Sequence, residues 1–214
     1  MKHFKGKILL AGLILTVVIS NSCSLLKTGM EYDELRRNVL RLHILADSDS
    51  GRDQWLKLRV RDEVLRLSDS IFGGASSREE AEEKVNQNLR RLEERAEDTL
   101  RRLGCTAPVR AQLETVRFDE RTYGDITMPA GDYRALRLMI GSAEGHNWWC
   151  VMYPELCLPA ACAESGSADE LFTKEQLEIL RKPKKYRIRL AVWDKTRALR
   201  KKLTGKNDEN RDDA

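Results

Sequence analysis

The stretch that decides the fold reads Val39-Leu40-Arg41-Leu42-His43-Ile44-Leu45-Ala46-Asp47-Ser48-Asp49-Ser50-Gly51. Its first half alternates apolar side chains with Arg41 and His43, which predicts a half-buried strand with those two side chains toward solvent. The Asp47 to Gly51 segment then breaks the alternation. Ser50 and Asp53 have the spacing of a capping box, so a helix should begin there. The domain therefore opens with a strand that leads directly into a helix.

The residues that follow predict two amphipathic helices, because apolar residues recur in each at helical spacing. Gly73-Gly74 should end the first helix. The second should begin at Ser77, with Glu80 as its capping partner, and stop at Gly104. The apolar positions are Leu56, Val60, Val64, Leu67 and Ile71 in the first helix, and Ala81, Val85, Leu89, Leu92, Ala96, Leu100 and Leu103 in the second.

Two further strands are predicted over Val109 to Phe118 and Tyr133 to Ile140, with turn chemistry at Pro129 to Asp132 between them. The chain from Gly141 to Pro159 should be irregular. The order strand, helix, helix, strand, strand indicates an α+β fold. We expect a small sheet of three to four strands with the two long amphipathic helices packed on one face, and a C-terminal helical extension.

The N-terminus has the composition of an export signal. Three lysines precede the apolar run Ile8 to Ile19, which is followed by small and polar residues up to a cysteine, Cys23. A run of this length is shorter than the ~20 residues that cross a bilayer, so a cleaved signal is favoured over a permanent span. Lipid attachment at Cys23 is a disfavoured alternative. The predicted division is a signal peptide at 1–22, an α+β domain at 36–160, a linker at 161–171, a basic helical extension at 172–203 and a disordered tail at 204–214.

The composition fits one folded unit outside the cytoplasm. The chain has 214 residues, with 38 Lys and Arg against 34 Asp and Glu, a formal net charge of +4. Helices are predicted over Phe172 to Leu180 and Ile188 to Leu203, separated by Pro183. The segment Arg181 to Lys202 is strongly basic. Outside the cytoplasm it should meet anionic membrane or wall polymer rather than nucleic acid, or be a solvated helix face.

Four cysteines fall in the part expected to be exported: Cys105, Cys150, Cys157 and Cys162. An oxidising compartment favours disulfides, and a Cys150 to Cys157 bond that closes a loop around Pro154 is the simplest pairing. Buried free thiols are the alternative. A zinc site built from His146 with three of these cysteines lacks the paired spacing of zinc knuckles, so no metal or other cofactor is expected.

His43, Asp47 and Ser50 contain the residue types of a catalytic triad. A solvent-facing strand histidine beside a helix-capping cluster already has a structural explanation, and no nucleophile elbow is present. The loop Asp47 to Ser50 also lacks the glycine and distal glutamate of an EF-hand. We therefore expect helix capping here and no catalytic residues in the chain.

The segment Asn147-Trp148-Trp149-Cys150 is the strongest candidate for a binding surface. Aromatic anchors dominate the energetics of protein recognition, so Asn147, Trp148 and Trp149 are predicted to form or support a partner-binding site. The competing interpretation is that both tryptophans are core residues. Because neighbouring side chains of an extended segment point to opposite sides, we expect one ring to be buried and the other exposed.

Several of these motifs together resemble the stage II sporulation protein R family of endospore-forming bacteria. They are Leu42 to Ser50, the charged helix Gln54 to Leu67, the Pro129 to Tyr133 turn and the Asn147 to Cys157 block. The resemblance implies an exported signalling protein without an active site. It would pass from the forespore into the intermembrane space and activate a membrane-bound aspartic protease of the mother cell, which processes pro-sigma-E. The alternative is a secreted cell-wall-associated hydrolase.

Overall fold

The computed structural model describes residues 2–72, 74–123, 125–154 and 172–209. The N-terminal half is helical apart from one strand. Its elements are α1 (Lys2–Arg37), β1 (Leu40–Leu45), α2 (Gly51–Phe72), α3 (Arg78–Gln87) and α4 (Leu89–Arg102). The second half contains the other strands and two helices: β2 (Val109–Phe118), β3 (Arg121–Tyr123), β4 (Ile126–Met128), β5 (Gly131–Ile140), β6 (Asn147–Tyr153), α5 (Lys174–Arg181) and α6 (Pro183–Glu209).

The four-stranded sheet has the order β2-β5-β1-β6, and β3 and β4 form a separate two-stranded hairpin. β1 is central, parallel to β5 and antiparallel to β6. The α+β prediction is confirmed. β6 lies in the segment predicted to be irregular, so that detail was wrong. Its run from Trp148 to Met152 shows no polar alternation, and its partner β1 is about a hundred residues earlier in the chain, so local pattern does not indicate the pairing.

One face of the sheet packs against α2, α3 and α4. Leu40, Leu42 and Ile44 of β1 are fully buried in the same cluster as the apolar stripes of these helices. The predicted second helix is split at Asn88, whose backbone has φ −112° and ψ 8°. The Asn88 side chain donates to the Lys84 carbonyl at 2.8 Å. Asparagine competes for backbone hydrogen bonds in this way, which explains why one long helix became two.

The opposite face is also covered, and this corrects the prediction for β1. Arg41 and His43 are 0% and 4% exposed, not solvent-facing. The cover comes from the end of α1, the β3–β4 hairpin and α5, which contribute Leu35, Ile126, Met128, Leu177 and Leu180 to a second core cluster. These elements lie far from β1 in sequence, except for α1, so the alternation of β1 could not show that its polar side would be buried.

α1 is a single helix that includes the residues expected to form the signal peptide. Its last turns belong to the domain, because Tyr32 and Leu35 are 1% and 0% exposed. Burial in α1 begins by Thr28, ahead of the expected domain start at residue 36. Within the part of the chain that the structure describes, no helix is both long and apolar enough for a membrane crossing.

The C-terminal extension is helical as predicted. α5 starts with a capping box in which the Thr173 hydroxyl accepts from the Gln176 amide and the Gln176 side chain accepts from Thr173. Pro183 is the first residue of α6, a position where its missing N–H removes no helical hydrogen bond. α6 continues to Glu209, into the segment expected to be disordered from residue 204. The predicted linker at 161–171 lies outside the described residues.

Candidate functional site

The three predicted binding residues lie at the start of β6, an edge strand of the sheet. Asn147, Trp148 and Trp149 are opposite Leu45, Ile44 and His43 of β1, respectively. Asn147 is exposed, while both tryptophans are half-buried. Trp148 and Trp149 point to opposite faces of the sheet, as expected for neighbours in a strand. The expected contrast between one buried ring and one exposed ring is not seen.

Trp148 is on the face covered by α2. It packs against the first core cluster, and the Arg61 guanidinium lies 5.1 Å from the ring centroid. This cation–π contact and the apolar packing both restrict the ring. Trp148 is therefore part of the domain's own packing and is half-buried.

Trp149 is on the opposite face and belongs to an aromatic stack. Its ring lies parallel to that of His43, with centroids 4.0 Å apart and an interplanar angle of 8°. The Phe118 ring packs edge-on against the Trp149 ring, with centroids 4.5 Å apart. Such aromatic pairs contribute about 0.5–1.5 kcal/mol beyond the area they bury. Trp149 thus covers one face of the buried His43 ring.

His43 is a neutral, buried side chain. Burial lowers its pKa from 6.5 to about 4, and the nearby Asn147 side chain only partly opposes that shift. Neither ring nitrogen makes a hydrogen bond of good geometry within the described ranges. Asp47 and Ser50 lie in the loop beyond β1 and are held by other partners. The three residues do not form a catalytic relay in this structure.

Asp47 and Ser50 have the structural roles that capping predicts. The Ser50 hydroxyl accepts from the Asp53 amide at 3.1 Å, which caps α2. Asp53 does not return a bond to the Ser50 amide, as a capping box would, but accepts from the Ser50 and Ser48 hydroxyls. The Asp47 carboxylate accepts from the Ser142 amide at 2.7 Å and from its hydroxyl at 2.8 Å. The motif therefore joins α2 to the loop before β6.

Two glycines allow the loop before β6 to lie close against the Asp47 to Ser50 segment. A Cβ on Gly141, which has φ +57°, would lie 2.3 Å from the Asp47 carboxylate, and one on Gly145 would lie 2.3 Å from the Ser48 carbonyl. The Asp49 carboxylate in turn accepts from the backbone amide of His146 and pairs with its ring. The position of β6 therefore depends on the Asp47 to Ser50 motif.

Arg41 is a site residue that sequence reasoning missed. Its guanidinium lies 4.2 Å from the Phe118 centroid and 5.0 Å from that of Tyr133. Nε donates to the Cys150 carbonyl at 3.1 Å and Nη2 to the Tyr123 hydroxyl at 2.9 Å. Burial lowers the pKa of Arg41, and the tyrosine hydroxyls oppose the shift. The signal in the sequence was an arginine within the largely apolar strand β1.

The Pro129 to Tyr133 turn anchors α1 to the sheet. The Tyr133 hydroxyl donates to the Pro129 carbonyl at 2.7 Å. The Tyr32 hydroxyl of α1 donates to the Ala130 carbonyl. Gly131 faces Arg36, and an added Cβ would lie 2.6 Å from that guanidinium. The glycine is needed because the helix passes directly over the turn.

The cysteines are only partly described. Cys150 is buried and is half of a disulfide, whereas Cys23 and Cys105 carry free thiols. Cys157 and Cys162 lie outside the described residues, so the pairing of Cys150 with Cys157 stays a prediction. No cluster of three or more His, Cys, Asp or Glu side chains that could hold a metal occurs in the described ranges.

Comparisons with known proteins agree with the motifs placed above. The model of the family described as stage II sporulation protein R (spore_II_R) matches residues 36–162, which include β1 to β6 but neither α5 nor α6. A curated relative, stage II sporulation protein R of Bacillus subtilis (strain 168), is 34% identical over 119 residues. That match covers 56% of this chain and 53% of the relative, so the chain spans about half the relative's length. No solved structure matches. The chain belongs to the stage II sporulation protein R family.

Proposed function

We propose that this chain is an exported signalling protein that activates a membrane-embedded aspartic protease of the mother cell and so leads to the processing of pro-sigma-E. Membership of the stage II sporulation protein R family is the observation that carries the proposal. The proposed place of action is the space between forespore and mother cell. The lysine-rich start and the apolar run Ile8 to Ile19 support export.

A binding role without catalysis fits the residues that the structure describes. His43 is buried under Trp149, Asp47 accepts hydrogen bonds from Ser142, and Ser50 caps α2. Each of the three side chains that could have formed a catalytic triad therefore has a structural role instead. A protein that activates a protease needs only to bind the active state of its partner more tightly than the inactive state.

The proposed contact surface is the start of β6. Asn147 is exposed and can contact a partner directly. Trp148 and Trp149 are half-buried, so each packs within the domain and keeps part of its surface accessible. Hot spots of this kind are rigid aromatic side chains held by their own protein, next to polar groups at the rim.

The test is co-expression of this chain with the protease and pro-sigma-E in a host that does not sporulate, with substrate cleavage as the readout. The chain should promote cleavage. The Asn147→Ala variant should reduce cleavage at temperatures where it is fully folded, because Asn147 is exposed and can contact the protease. Trp55→Ala is the matched control, since Trp55 is 45% exposed on α2 but away from β6. Cleavage that is equal with and without the chain would refute the function.

Trp148→Ala and Trp149→Ala then separate binding from packing. If a ring serves only the core, its replacement by alanine should lower the free energy of unfolding by at most about 3–5 kcal/mol. Cleavage should then fall only in proportion to the folded fraction. A ring that contacts the protease should reduce cleavage at temperatures where the variant is fully folded. If all three β6 variants activate normally while folded, the surface is assigned wrongly.

A further inference from the structure

The exposed apolar side chains of this protein are unevenly distributed. Among the described residues, five large hydrophobic side chains are exposed: Leu26, Met30, Trp55, Val192 and Leu199. Trp55 is on α2, and the other four are on α1 and α6. Leu26 and Met30 are 52% and 65% exposed, and Val192 and Leu199 are 42% and 60% exposed. Concentration of such side chains on one element pair indicates an interaction surface.

α1 and α6 are packed together closely enough to act as one unit. Gly29 lies under the Trp193 ring, where an added Cβ would be 2.2 Å from a ring carbon. The Trp193 Nε1 donates to Asp33 at 3.0 Å, and Arg197 pairs with the same carboxylate at 2.8 Å. The contact therefore combines close packing with a charge-assisted bond, and it fixes how each helix is rotated.

On each helix, the two exposed apolar side chains lie away from the residue that is buried in the contact between the helices. Tyr32 of α1 and Leu190 of α6 are buried together on the inner side. Leu26 and Met30 are one turn apart on α1, on the far side of the Gly29 contact from Tyr32. Val192 lies next to Trp193 but points away from Leu190, and Leu199 follows two turns later. We call the surface formed by Leu26, Met30, Val192 and Leu199 the α1–α6 face.

Basic residues lie near the α1–α6 face. Lys27 is 70% exposed and pairs with Glu175, and Arg197 is 61% exposed and pairs with Asp33. Toward the C-terminus the balance is one-sided, because the sequence from Lys195 to Lys206 contains six cations and no acidic residue. Basic groups beside an apolar helix face are typical of helices that lie in the plane of an anionic membrane surface.

We propose that the α1–α6 face docks on an anionic membrane surface, with its four apolar side chains in the headgroup region and the neighbouring basic residues on lipid phosphates. The basic residues of α6 favour an anionic lipid surface over an uncharged apolar partner, because lipid phosphates can pair with these cations. The proposal goes beyond protease activation, since it names a lipid contact made by other residues than those of β6.

The test places a photoreactive amino acid at position 30, 199 or 55 of the full chain and exposes each protein to vesicles. One vesicle set contains phosphatidylglycerol in phosphatidylcholine, and the other contains phosphatidylcholine alone. Positions 30 and 199 should form lipid adducts, several-fold more with the anionic vesicles. Position 55 is the matched control, because Trp55 is exposed but lies on α2, and it should form none.

A second chain tests whether apolar insertion is needed. With the photoreactive group at position 192, the Met30→Glu/Leu199→Glu variant should label lipid roughly tenfold less than the unchanged chain, because carboxylates resist entry into an anionic headgroup region. Equal labelling at positions 30, 199 and 55 would overturn the proposal. So would adducts between two protein chains in place of lipid adducts. The assay contains no protease, so its outcome is independent of whether activation is confirmed.

Discussion

The buried, neutral state of His43 predicts that the domain loses stability in mild acid. In the folded protein the pKa of His43 is lowered to about 4 by burial. In the unfolded chain an imidazole titrates near its ordinary value of about 6.5. Between these two values the unfolded state binds a proton that the folded state does not. Lowering the pH through this window therefore favours unfolding.

The magnitude follows from the separation of the two pKa values. From neutral pH to pH ~5, the free energy of unfolding should fall by about 2 kcal/mol because of His43, and the full loss by pH ~4 approaches about 3 kcal/mol. Carboxylates with lowered pKa values, such as Asp53 and Glu63, lose their contributions as the pH falls through the ordinary range of acidic groups, from about pH 5 downward. The interval above pH ~5 therefore isolates the histidine.

The assay is urea unfolding at several pH values between 7 and 5, compared between the native sequence and His43→Phe. Phenylalanine keeps a ring against Trp149, at 4.0 Å in the native stack, and removes the titrating group. The variant should lack the loss of about 2 kcal/mol that the native protein shows. Identical pH dependence in both proteins would mean that His43 is solvated or already protonated when folded, and the reasoning would fail.

Two other predictions concern packing and covalent structure. Gly29→Ala should lower the free energy of unfolding by about 1–3 kcal/mol, because its Cβ would meet the Trp193 ring. Gly51→Ala has open space around its Cβ and should be neutral or stabilising. Chemical denaturation measures both. Similar effects of the two changes would contradict the described helix contact. Under non-reducing conditions, mass spectrometry should show a peptide linked through Cys150 and Cys157, a bond that contributes about 2–3 kcal/mol. A linkage of Cys150 to any other cysteine would exclude that pairing.

The parts of the fold that sequence predicts are those set by local pattern. The stripe from Leu56 to Ile71 appears on one face of α2 because helical spacing and burial agree. The burial of Arg41 and His43 depends on α1 and α5, which no pattern within β1 can reveal. The Asn147 to Trp149 segment was identified as special from composition alone. Its strand geometry was missed because a run buried on both faces lacks alternation.

The central position of β1 affects the order in which the protein can fold. Leu40 pairs with Arg134 on one side and Tyr153 on the other, so both neighbours of the first strand are synthesised long after it. Until β5 is made, β1 and β2 have no partner strand in the four-stranded sheet. Contacts so distant in sequence must overcome a large loop-closure entropy, which slows folding. The four-stranded sheet can therefore close only after β6, its last strand, has been made.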